Sequence, residues 1–193
     1  MSSLQQPSGR SAYVGAPSNP EQAVKLVFAG PVAAGKSTAI RSISDGEPIS
    51  TDVPVSDGVI EGKETTTVAL DYSVVKLGQG TELLVYGLPG QDHFAFMRPI
   101  VLNGAFGVIV LLDGRDPALL EHCRSWIQVV TENAPNAAMI VGITHTDLVH
   151  SFSLESLREV ARGGHAPIPI FTFDARKREE ALQVVRALIL CAT

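Results

Sequence analysis

Only two cysteines occur in the 193 residues, Cys123 and Cys191. They lie far apart, so they form neither a CxxC redox motif nor a close metal-binding pair. Both fall in helix-like patterns where a small apolar residue fits, and a reducing, cytoplasmic setting is the expectation. The chain has no long basic run, and its formal net charge is -5. The electrostatic footprint of non-specific nucleic-acid binding is therefore missing. No apolar run reaches membrane-spanning length without a Gly, a Pro or a charge. The opening MSSLQQPSGRSAYVGAPSNP has no apolar stretch of the signal-peptide kind. Gly does not follow Met1, and Cys191 stands one position away from a prenylation site, so no lipid anchor is expected. His93, His122, His150 and His165 show no metal-ligand spacing.

What is present is an ordinary globular mixture, 45% hydrophobic and 18% charged, long enough for one substantial core. Residues 1–22 are rich in Ser, Pro, Gly and Gln and predict a flexible tail; residues 23–193 predict one domain. Within that domain, strand-like runs alternate with helix-like ones. Strands are predicted at 24–30, 66–77, 81–87, 106–113, 137–144 and 168–174. Helices are predicted from residue 37, then at 117–134, 153–161 and 177–190. Residues 44–64 are polar with Gly and Pro and predict a long, functional loop. Runs 66–77 and 81–87 flank GQG and read as a hairpin. Such alternation implies an α/β fold: a mostly parallel sheet covered on both faces, with ligands at the carboxyl ends of its strands. Trp126, with Cys123, Val129 and Val130 at helical spacing, reads as core. The mixed-sign stretch RKREE (176–180) reads as a solvated face.

The run VKLVFAGPVAAGKSTAI holds the clearest chemistry. Gly30, Pro31, Val32, Ala33, Ala34, Gly35, Lys36 and Ser37 satisfy G-x-x-x-x-G-K-[ST]. The motif follows a buried strand and opens a helix, with Thr38 in its first turn. Backbone N–H groups of such a turn converge on phosphate oxygens, and the helix adds its positive end. Lys36 supplies a point charge to the β- and γ-phosphates, and Ser37 a hydroxyl for Mg²⁺.

The phosphate loop does not name the base. Further on, YGLPGQDHF (86–94) ends the third strand. Here the sequence resembles the Ras-like small GTPases, whose third-strand motif reads D-x-x-G-Q. Gly90 and Gln91 match its last two residues. The resemblance is greatest to a bacterial branch that includes the gliding-motility GTPases and is often linked to roadblock/LC7-type regulators. That branch commonly has G-T-P-G-Q, so the glycine at position 87 is familiar there. The resemblance runs from about residue 24 to the C-terminus. It implies a three-layer P-loop G domain with a six-stranded, mostly parallel sheet and one antiparallel edge strand.

The same resemblance assigns roles. Gly90 would place its N–H on the γ-phosphate, and Gln91 would orient the attacking water, with Lys36 beside it. Position 87 is Gly where most Ras-like proteins carry the Asp that holds Mg²⁺, so metal affinity and hydrolysis are expected to be weaker unless another carboxylate substitutes. A threonine before the second strand is the other metal ligand; Thr67, followed by Asp71 four residues on, fits, with Thr66 second. Residues 44–64 would form the first switch and residues 87–98 the second. Base recognition falls to Thr144, His145, Thr146 and Asp147, in the place of [NT]-K-x-D. Asp147 would take guanine N1 and N2, and His145 replaces the lysine whose stem lies along the base. Ala175, flanked by Asp174 and Arg176, would offer its N–H to guanine O6. Neither Arg41 nor Arg98 reads as a catalytic finger. The implied function is a GTP/GDP switch with Mg²⁺, slow alone and accelerated by a partner. The alternative is a pseudo-GTPase interaction module. A small nucleotide kinase would need an arginine-rich lid, and the sequence offers none.

Overall fold

The computed structural model describes residues 23–55, 66–77, 82–148, 153–162 and 167–192; for residues 50–55 and 66–69 it describes the backbone alone. The predicted tail (1–22) and residues 56–64 of the predicted first switch lie outside the described residues. Along the chain run β1 (Val24–Ala29), α1 (Lys36–Ile43), β2 (Ile49–Val55), β3 (Thr66–Lys76), β4 (Glu82–Gly87), α2 (Met97–Leu102) and β5 (Gly107–Asp113). Then come α3 (Leu119–Asn133), β6 (Ala138–Thr144), α4 (Leu154–Ala161), β7 (Ile170–Thr172) and α5 (Arg178–Cys191).

The strands form one sheet in the order β2-β3-β4-β1-β5-β6-β7. Strands β4, β1, β5, β6 and β7 are mutually parallel, and β3 runs antiparallel to β4. These are the six expected strands, five parallel and one antiparallel. A further strand, β2, pairs antiparallel with the outer side of β3, from Ile49 opposite Tyr72 to Val55 opposite Thr66. It lies where the sequence reading expected only loop. ISTDVPV has neither apolar alternation nor a β-rich run, and Pro54 argues against an inner strand. An edge strand tolerates a proline, because one side of it makes no ladder bonds.

Strand periodicity explains the two layers of core. In β1, Leu26 and Phe28 face one side of the sheet and pack with Ile40 and Ile43 of α1 and Val185 and Leu188 of α5. Val27 and Ala29 face the other side, with Met97 and Leu102 of α2, Trp126 and Val130 of α3 and Leu157 of α4. In β5, Ile109 and Leu111 alternate in the same way with Val108, Val110 and Leu112. A central strand buried on both faces reads as a continuous apolar run.

Local signals hold for the helices, with two corrections. Ser153 caps α4, its Oγ accepting the Ser156 N–H at 3.1 Å. Trp126, Cys123 and Val130 are buried as expected, but Cys191 is exposed at the end of α5. The RKREE stretch is not merely solvated. Arg178 Nη1 donates to the carbonyls of Ile43 (2.8 Å) and Ser44 (2.9 Å), and its Nη2 pairs with Asp45 at 2.6 Å. A cation thus closes the carbonyl end of α1 and ties it to α5.

Candidate functional site

The parallel strands end at one edge of the sheet, and every predicted site segment follows such an end or lies beside it. Between β1 and α1, the loop takes the shape of a phosphate cradle. Gly30 (φ 136°) has the most stringent place: a Cβ there would lie 2.1 Å from the Leu111 carbonyl oxygen of β5. Ala33 (φ 64°) and Gly35 (φ 90°) are also left-handed. The α conformation begins at Lys36, directly after Gly35. Ala34 is fully buried, whereas Ala33, Ser37 and Thr38 are exposed, Ala33 and Ser37 along the cleft described below.

Lys36 folds back into the cradle. Its Nζ donates to the carbonyls of Gly30 (2.8 Å) and Pro31 (2.6 Å). Burial lowers its pKa to about 8, against a smaller upward pull from the Asp71 carboxylate. A cleft of about 350 Å³ joins Lys36 and Ser37 to Asp71, Gly87, Gly90 and Gln91. Gly90 lies directly on the phosphate loop, where a Cβ would be 2.6 Å from Val32 N. Gln91 leads into a 3-10 turn, Asp92–Phe94, and its side chain is exposed. Ser37 Oγ donates to Asp71 Oδ2 across the same cleft. The backbone of Thr67 is placed in β3 opposite Pro54; its side chain lies outside the described residues, as does that of Thr66.

The second half of the site lies beyond β5 and β6. Thr144 is 1% exposed, and its hydroxyl is shared between the carbonyls of Ala34 (3.1 Å) and Leu112 (3.2 Å). His145 adopts φ 55°. Its Nδ1 lies 3.0 Å from Thr144 Oγ1 and 3.3 Å from Asp113 Oδ2. Both neighbours accept, so the proton belongs on Nδ1. Asp113 is held below the usual carboxylate range chiefly by the Arg115 guanidinium, which bridges both of its oxygens.

Past β7, Ala175 is nearly buried beside Gly35, and Arg176 reaches back over the surface. Its Nε and Nη2 grip Asp174 at 2.8 and 2.7 Å, and Nη2 also meets Asp147 Oδ2 at 3.0 Å. That guanidinium lowers the Asp174 pKa to about 2. Asp174 does not cap α5; it holds the Arg176 N–H in a tight turn instead. The structure therefore brings Lys36, Ser37, Gly90 and Gln91 to one cleft, and Asp147, Asp174 and Arg176 to a second, while Thr144 is buried against the phosphate loop and His145 rests on Asp113. The sequence reading did not name Asp113 and Arg115. Their signal was an Asp ending a buried strand at the ligand edge. Among the described residues, no arginine lines the first cleft. Arg98 packs over the Trp126 ring at 5.0 Å and pairs with Asp92.

Comparison with known proteins decides the family. The Ras family model matches residues 25–189. The chain belongs to the Ras family. Its similar relatives are Ras-related proteins. A human Rab-40A-like protein is 32% identical over 131 residues, covering 65% of this chain and 44% of the relative. Arabidopsis thaliana RABF2b is 26% identical over 128 residues, covering 65% and 58%. Dictyostelium discoideum RabC is 23% identical over 122 residues, covering 61% and 56%. The chain thus spans about half the length of the curated relatives it matches. No described helix is long and apolar enough to cross a membrane.

Proposed function

We propose that this Ras-family chain, with residues 23–193 as its G domain, is a switch that binds GTP and hydrolyses it to GDP. The observation that carries this reading is the meeting of Lys36, Ser37, Gly90 and Gln91 around one cleft. The loop and the start of α1 offer backbone N–H groups to phosphate oxygens, and Lys36 exchanges its two loop carbonyls for them. Gly90 N–H meets the γ-phosphate, and Gln91 orients the attacking water.

On the base side, Asp147 accepts from guanine N1 and N2, and Ala175 N–H serves O6. Thr144 and His145 shape the walls. Arg176 must release Asp147 to let guanine in. The oxygen donors facing the cleft suit Mg²⁺, a hard cation. Ser37 would hold it, with Thr67 at the start of β3 and the phosphates themselves. Bound there, the ion would neutralise charge that develops on the phosphate oxygens.

Turnover is slow in isolation, because no arginine is poised at the cleft among the described residues. A partner that adds one, or steadies Gln91, accelerates it. A roadblock/LC7-type regulator is the candidate that the resemblance to the bacterial branch supplies. Gly87 in place of a carboxylate favours the alternative, a nucleotide-binding module with little hydrolysis. Equilibrium binding of labelled GTP, GDP and ATP, followed by single-turnover hydrolysis, tests both. Guanine-selective binding with hydrolysis slowed in Gln91→Leu, at unchanged affinity, is the expected result. Guanine binding with no hydrolysis establishes the alternative. ATP bound as well as GTP removes the base-site assignment.

A further inference from the structure

We propose that Asp71 supplies the metal-site carboxylate that position 87 lacks, so that the carboxylate has moved from β4 to the neighbouring strand. The inference rests on the reading that the chain binds a guanine nucleotide with Mg²⁺.

Three observations carry it. In the β3–β4 ladder, Asp71 stands opposite Gly87. The two positions thus face each other across adjacent strands, and a short side chain on either reaches the same space. Second, a Cβ built on Gly87 would meet Asp71 Cβ at 3.1 Å and Asp71 Oδ2 at 3.4 Å. The Asp71 side chain therefore borders the space in which a side chain at 87 would begin, with its carboxylate in contact with that space. Third, Asp71 Oδ2 accepts the hydroxyl proton of Ser37, the hydroxyl that the phosphate-loop motif assigns to the metal. Carboxylate and hydroxyl converge on one spot in the cleft that holds Lys36 and Gln91.

The assignment also explains why position 87 is glycine. A side chain there would press on Ile40 Cδ1 at 2.8 Å as well as on Asp71. With Asp71 in place, the ligand edge has room for one carboxylate, not two. Two carboxylates sharing that space would also repel each other. Among the described residues no cluster of three or more His, Cys, Asp or Glu is arranged to hold a metal alone. A cation here is thus held jointly by Ser37, Asp71 and nucleotide phosphates, directly or through water, as Mg²⁺ commonly is.

A carboxylate beside a phosphate site acts with opposite sign according to the metal. Without Mg²⁺ it repels the phosphates; with Mg²⁺ it helps to hold the ion that holds them. A merely structural Asp71, bonded to Ser37 to steady the loop, has no such reversal. The test is GDP dissociation from the whole chain, measured with a fluorescent GDP in excess Mg²⁺ and in EDTA. The variants are Asp71→Asn and the transplant Asp71→Gly/Gly87→Asp. Asp71→Asn keeps an acceptor for Ser37 and removes only the charge.

Wild-type release should quicken sharply in EDTA. Asp71→Asn should release GDP faster than wild type in Mg²⁺, reflecting about a 10- to 100-fold loss of metal affinity of the kind seen when a metal site loses a supporting group. In EDTA it should release GDP no faster than wild type, or more slowly. The transplant should regain Mg²⁺ sensitivity, because removing the Asp71 side chain clears one side of position 87 and the Ile40 Cδ1 methyl, at the far end of a flexible side chain, can shift to admit an Asp there. Asp71→Asn that responds to Mg²⁺ as wild type does, its release changed by the same factor relative to wild type in Mg²⁺ and in EDTA, overturns the proposal while leaving the GTPase reading intact. A folded wild-type chain that binds no guanine nucleotide overturns that reading and this one with it.

Discussion

Lys36 shows how much of the site is prepared by one side chain. It sits among carbonyls, largely out of water, with its pKa pulled down to about 8. Replacing it with Ala should weaken GTP binding about 10- to 100-fold, the equivalent of one charge-assisted contact of ~1.5–3 kcal/mol. The fold should remain intact, and equilibrium binding with a thermal melt checks both. The depressed pKa adds a proton linkage. Below about pH 8, Lys36 is charged both free and with phosphates bound, so this group makes no contribution to the pH dependence of binding there. Above it, the free side chain loses its proton while the bound phosphates favour keeping one. Binding then takes up a proton, and affinity falls as pH rises, at most about tenfold per unit. Calorimetry of GDP binding near pH 8.3, in buffers of different ionisation heat, should register proton uptake that is absent at pH 7. The unliganded chain shows the reverse slope. The unfolded lysine keeps its proton up to its ordinary value, so stability contributed by this group rises with pH between about 8 and 10.5.

Among the elements, α1 depends on a partner far along the chain. Arg178 closes its carbonyl end and joins Asp45, so the helix that presents Lys36 and Ser37 is anchored by α5. Arg178→Met should lower global stability by about 1 kcal/mol, a modest figure because the guanidinium is partly exposed and screened. Denaturant unfolding reads this loss directly. The same contact marks a limit of sequence reading. Periodicity finds α5 and places Arg178 near its start, but spacing along one helix is silent about another helix's last turn. The buried strands were legible because β5 and β6 are continuous apolar runs, and β1 is one interrupted only by Lys25, each ending at Gly, Asp or Thr. β2 was not, since an edge strand takes its order from the backbone of its neighbour rather than from its own side chains. In the site, a contiguous motif such as the phosphate loop could be read directly. The Arg115 clamp on Asp113 and the Arg176 bridge to Asp147 could not, because each joins side chains by rotamer choices that no spacing rule encodes.

For the molecule as a whole, the proposed phosphate-binding and base-reading halves belong to one sheet edge, so a guanine nucleotide should stabilise the fold as a unit. At a concentration near 100 times Kd the gain is about 2.7 kcal/mol. For a domain of this size that raises Tm by roughly 5–10 °C. GDP and GTP should produce the shift in differential scanning, and ATP at equal concentration should not. An equal shift with ATP removes guanine selectivity. The buried Thr144 hydroxyl, shared by Ala34 of the phosphate loop and Leu112 of β5, has a practical consequence for anyone redesigning the nucleotide preference. The base-reading segment is not an exchangeable cassette. Grafting the more usual Asn-Lys onto positions 144 and 145 would put a longer, unbranched amide in place of the β-branched hydroxyl side chain in a closed space and remove the imidazole that rests on Asp113. A successful graft must carry its own piece of β5 with it.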